Sequence, residues 1–91
     1  MKTMKTMNEF MSMELKDIDS ADIDLGDGAS IVIEAPEDEW SNMHDLHLYF
    51  EDGPDAAFEL QVHHTALKWI VPAMAAEYHR RYHLAPERDT L

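Results

Sequence analysis

The sequence predicts an α+β domain, a small antiparallel β-meander of four or five strands packed against one long carboxyl-terminal α-helix. Three observations lead there. Apolar and polar residues alternate around Ile31, Leu48 and Leu60, the period of half-buried strands. Two glycine-centred punctuations, Gly26-Asp27-Gly28 and Glu51-Asp52-Gly53-Pro54-Asp55, separate those runs as hairpin turns do. From Thr65 onward the apolar residues recur at three- and four-residue spacings, the period of a helix.

Taken in order, the elements follow from the same reasoning. Met1, Met4 and Met7 punctuate a Met-Lys-Thr repeat, which reads as a flexible amino-terminal extension over residues 1–10. Met11, Met13 and Leu15 alternate with Ser12, Glu14 and Lys16, which suggests a first half-buried strand. Ile18, Ile23 and Leu25 lie among five aspartates ahead of the first hairpin turn, and Ile31 and Ile33 share one face beyond it, with Val32 and Glu34 on the other. Pro36 followed by Glu37, Asp38 and Glu39 resembles the first turn of a short helix, acids lying near the positive end of its dipole. Trp40 would then fold onto the sheet edge or stay exposed as a contact residue. In the second hairpin Leu46, Leu48 and Phe50 face the core with Phe58, Leu60 and Val62.

The final helix carries Leu67, Ile70, Val71, Met74, Tyr78 and Tyr82 as one stripe, with Thr65 able to cap its start. Pro72 either bends this helix or marks irregular chain up to Val71, because proline removes one helical hydrogen bond. Pro86 ends the element. The organisation expected is a single domain over residues 11–85 between the extension and a tail over residues 86–91.

Charge is the strongest signal. The 91 residues hold 19 acids against 7 bases, a formal charge of −12. From Asp17 to Glu59 there are 14 carboxylates and no lysine or arginine. Such a field repels phosphates, so direct binding to nucleic acid or to an anionic membrane is not expected. No apolar run reaches the roughly 18 residues of a membrane span, and the lysines near the start have no apolar core behind them. With 45% hydrophobic residues the chain can build a core that buries about 65% of its unfolded surface. It has no cysteine, so neither disulfides nor thiolate metal sites can reinforce that core. A soluble cytoplasmic protein is the expectation, and a homodimer is compatible with it.

Catalytic and metal motifs are weak. No nucleophile elbow or phosphate-binding glycine loop is present, and no carboxylate stands out from the rest, so the chain is not expected to be an enzyme or to need a cofactor. Asp22 and Asp24 match positions 1 and 3 of a calcium loop, but Gly26 falls at 5 and Ile33 at 12, where an EF-hand needs an acid and a glutamate. Among six histidines, His79 and His83 are four apart on the expected helix and could chelate a metal, although Arg80 and Arg81 lie between them. His44 and His47 fall on opposite faces of a strand. A histidine-based metal protein is therefore a minor alternative.

The residues best placed for recognition are the acids and their aromatic neighbours. Asp17 with Asp19 and Asp22 with Asp24 would form short rows along a strand, alternate residues lying about 6.6 Å apart. Glu34, Asp45 and Glu59 would extend those rows across the sheet, with Asp27 at the hairpin turn, and Glu37, Asp38 and Glu39 would add charge to the recognition set that includes Trp40 and Tyr49 as aromatic anchors. The expected partner is a basic protein surface of a nucleic-acid-binding complex, occupied by this acid array in place of a phosphate backbone. By analogy of size and charge alone, the expectation is a phage-type inhibitor acting in the host cytoplasm, as anti-restriction and anti-CRISPR proteins block nucleic-acid-binding surfaces, sometimes by imitating the phosphate backbone. The competing expectation is a structural or assembly subunit whose acidity only confers solubility.

Overall fold

The computed structural model describes residues 4–26, 28–50 and 58–82, with side chains to Arg80. Helix α1 (Met7–Ser12) is followed by a 3-10 turn (Leu15–Asp17), strands β1 (Ala21–Gly26), β2 (Ala29–Ile33), β3 (Met43–Tyr49) and β4 (Phe58–His63), a second 3-10 turn (His64–Ala66) and helix α2 (Leu67–Tyr82). The strands form one sheet in the order β1-β2-β3-β4, each pair antiparallel. The four-stranded meander with one long carboxyl-terminal helix is thus the α+β arrangement that the hydrophobic periods predict.

The sheet has an inner and an outer face because side chains alternate along each strand. Ala21, Ile23 and Leu25 of β1, Ala29, Ile31 and Ile33 of β2, Leu46 and Leu48 of β3 and Val62 of β4 are buried on the inner side. Leu67, Val71, Ala75 and Tyr78 of α2 complete the same core, with the Tyr78 ring 5.7 Å from that of Phe50. The helix runs unbroken through Pro72, which rules out the second of the two alternatives, irregular chain up to Val71. Burial of its four core residues offsets the lost hydrogen bond. Near its end Arg80 is hydrogen-bonded to Glu77, and that bond, reinforced by the carboxylate's charge, raises the guanidinium pKa above its ordinary value. The side chain of Tyr82, the turn expected over residues 51–55 and the tail expected over residues 86–91 lie outside the described residues.

The amino terminus departs from expectation. Residues 11–16 are not a strand: the chain there leaves α1 and enters the first 3-10 turn. A reciprocal capping box is the physical reason. Thr6 Oγ1 accepts from the Glu9 amide at 3.1 Å, and Glu9 Oε1 accepts from the Thr6 amide at 2.8 Å. The helix so started turns Phe10 into the core, where it is fully buried. Lys5 makes a short parallel bridge to β1, donating to the Asp22 carbonyl at 2.8 Å and accepting from the Asp24 amide at 2.9 Å. Residues 4–10, expected within a terminal extension, therefore contribute a core side chain and cover part of the β1 edge.

Three smaller differences follow from local chemistry. After Pro36 the chain makes a turn, not a helix: Asp38 Oδ1 accepts from the Trp40 amide at 2.9 Å and the Asp38 carbonyl accepts from Ser41 at 3.1 Å. The amide of Thr65 is capped by His63 Nδ1 at 3.2 Å, so Thr65 is the capped residue and not the cap. Phe58, expected in the core, is 49% exposed on β4, an edge strand with no further neighbour among the described residues. At the first hairpin Gly26 and Gly28 have φ of 84° and 81°, the left-handed conformation that favours glycine. Asp27 between them lies outside the described residues.

Candidate binding face and acidic cleft

Strand register places the acids of the sheet on its outer side. Asp22 pairs with Val32, Val32 with His47 and His47 with Glu59, one row across all four strands. Asp24 pairs with Ser30 and Ser30 with Tyr49 in the next row. Asp45 is opposite Gln61, and Glu34 donates its amide to the Asp45 carbonyl at 2.9 Å just beyond the end of β2. Asp22, Asp24, Glu34, Asp45 and Glu59 therefore share one side, and no described strand residue is a lysine or arginine.

His47 sits among these acids. Its Nδ1 is 2.9 Å from Glu59 Oε2 and its Nε2 is 3.6 Å from Glu34 Oε2. The second distance is a charge contact, too long for a hydrogen bond, and Nε2 is shielded from solvent without a hydrogen-bond partner. When protonated, this imidazole carries a positive charge between two carboxylates. Tyr49 lies beside it, ring centroids 6.1 Å apart, as the aromatic member of the face.

A second acidic region lies where the β2–β3 connection meets the chain ahead of β1. Asp19, Glu37, Asp38 and Glu39, with Lys16, line an open cleft of about 520 Å³. Two histidines also line it. His44 is 1% exposed; its Nδ1 is 2.9 Å from the Glu34 carbonyl and its Nε2 is 2.8 Å from His64 Nδ1. A carbonyl only accepts, so His44 Nδ1 carries the proton, and with both rings neutral His64 donates to His44 Nε2. The rings stack at 5.0 Å and the His64 amide donates to the Asn42 carbonyl at 2.6 Å, which ties the start of α2 to the β2–β3 connection. Glu34 serves both regions, with its carbonyl on His44 and its carboxylate on His47.

The expected recognition residues thus divide. Asp22, Asp24, Glu34, Asp45, Glu59 and Tyr49 come together on the outer face. Asp19, Glu37, Asp38 and Glu39 come together at the cleft, with Trp40 beside them 84% exposed. The row expected from Asp17 and Asp19 does not form, because Asp17 ends a 3-10 turn and Asp19 precedes β1; Asp17 lies 3.7 Å from Lys16 instead. Asp27 and His83 lie outside the described residues, the latter taking the His79 pair with it. Among the described residues no group of three or more possible ligands could hold a metal ion, and no helix is long and apolar enough to cross a membrane.

The His44–His64 pair and the exposed Trp69 of α2 were not singled out by sequence reasoning. An inward-facing position in the β3 alternation was a signal for His44, whereas its partner is 20 residues away and has no local mark. None of the family models, curated proteins or solved structures compared with this chain matches it.

Proposed function

We propose that this chain is a non-enzymatic acidic binding protein whose outer sheet face blocks a basic, nucleic-acid-binding surface of a partner protein. The observation that supports this most is the one-sided array of carboxylates: five acids in three neighbouring rows on a four-stranded face with no lysine or arginine among its described strand residues, Lys5 standing at its β1 edge. A sheet holds such charges at fixed spacing, so an opposing groove of lysines and arginines meets them without reordering them first. Steering by the net charge of −12 makes the encounter fast and salt-sensitive. Tyr49 supplies aromatic contact on this face, and the exposed Trp40 does so beside the separate acidic cleft. The kind of protein described is an inhibitor of a nucleic-acid-processing complex, a role in which anti-restriction and anti-CRISPR proteins are the functional analogues.

The test is affinity capture from a host lysate at low salt, followed by measurement of nucleic-acid binding by the captured protein. Salt-released capture of a basic protein whose nucleic-acid binding falls as this chain is added supports the reading. Capture that leaves nucleic-acid binding untouched, or no capture, contradicts it.

A further inference from the structure

Between Lys68 and Glu77 no residue of α2 carries a charge. At about 100° per residue, Trp69, Ala73, Ala76 and Arg80 fall on one stripe, opposite the buried Leu67, Val71, Ala75 and Tyr78. Trp69 is 65% exposed and Ala73 and Ala76 are exposed beside it. A helix segment that is apolar all round is ordinarily covered on both sides. Here the inner side has the sheet, while the outer presents a tryptophan over small residues.

We propose that a second copy of this chain covers this face, the two α2 helices packing antiparallel about a two-fold axis between Pro72 and Ala73. The stripe is balanced about that point. Trp69 and Ala76, and Pro72 and Ala73, lie at equal distances on either side of it, so antiparallel pairing seats each Trp69 against the small Ala76 of the other helix. The contact is isologous and closes at two copies.

Charge favours the same arrangement. Helix α2 holds Lys68, Arg80 and Arg81 against Glu77, whereas the remaining chain holds 18 of the 19 acids and four of the seven bases. Antiparallel pairing brings the Arg80 end of one helix toward the 3-10 turn that precedes the other, where His64 lines the cleft with Asp19, Glu37, Asp38 and Glu39. Glu77 offsets part of the charge of Arg80 and Arg81 at one end, and at the other the four cleft acids outnumber Lys16 and Lys68, so opposite net charges meet, twice by symmetry. The acid faces of both sheets stay open, because α2 lies on the inner side. The dimer does not depend on the proposed function, although two open acid faces would let it engage two basic sites at once.

Sedimentation velocity of the full chain over a concentration series tests this, with helix content followed by circular dichroism. The expected result is a dimer at the upper concentrations that Ala73→Arg abolishes without loss of helix. Arg80→Glu should weaken the dimer, and Glu37→Lys/Asp38→Lys on the same chain should restore it. In a Trp40→Phe background the Trp69 emission should shift to the blue as the dimer forms. A wild-type monomer at every concentration overturns the proposal, whether Trp69 stays solvent-exposed or is already shielded by its own chain. A dimer that survives Ala73→Arg overturns it as well, and one indifferent to Arg80→Glu overturns the antiparallel register.

Discussion

The two faces of the sheet are built by the same four strands and differ at every position. Along one line the inner face carries Ile23, Ile31 and Leu48, and the next line of the outer face carries Asp22, Val32, His47 and Glu59. Ile23, Ile31 and Leu48 are almost fully enclosed and only Phe58, which ends their line on the β4 edge, is exposed, whereas on the outer line Glu59 is exposed and Asp22 and His47 are half-buried. A shift of one residue in register would exchange the two sets. The inner set must therefore be strong enough to hold the register against the repulsion of the outer set. Under the proposed function the alternation itself separates stability from recognition, and substitutions on the two faces should have opposite signatures.

The largest effects belong to the inner side. Phe10→Ala should lower unfolding free energy by about 3–5 kcal/mol in a denaturant titration, because it empties a fully enclosed aromatic site. An effect near zero would show that α1 is not part of the cooperative unit. Ile31→Ala should cost about 2–5 kcal/mol for the same reason, while the fraction that remains folded binds partner as before. His44→Leu comes next, at about 1–3 kcal/mol, since it leaves the Glu34 carbonyl and the His64 ring without their partner. A silent His44→Leu would mean that the imidazole pair adds nothing to holding the start of α2. The smallest expected change in stability is on the outer face, where Asp45→Lys/Glu59→Lys should move unfolding by about 0.5 kcal/mol or less per site. A larger loss there would mean that His47 and its carboxylates are a structural network as well as a surface.

Most of this division was legible in the chain. Alternation around Ile31, Leu46 and Leu60 located three strands and assigned Glu34, Asp45 and Glu59 to the side away from the core, because a strand has only two faces. The α2 stripe from Leu67 to Tyr78 was legible through its period. The amino terminus was misread because Met11, Met13 and Leu15 alternate over a span too short to distinguish periods, while the decisive signal, Thr6 with Glu9 three residues on, sat inside a repetitive segment. Phe58 kept the right parity but lies on an edge strand, and edge position depends on strand order, which no local pattern encodes. The cleft and the His44–His64 pair depend on contacts between distant segments. The gathering of Glu37, Asp38 and Glu39 there follows from a turn set by the Asp38 side chain, not from the helix that proline suggests.

The most direct measurement compares two variants of equal charge change. Asp45→Lys/Glu59→Lys alters the outer face; Glu14→Lys/Asp17→Lys alters the chain around Lys16 before β1. Both would be tested for capture of a basic partner across a salt gradient. The expected result is that the first loses capture at salt concentrations where the second retains it. Equal loss in both would show that net charge alone, and not the outer face of the sheet, governs association.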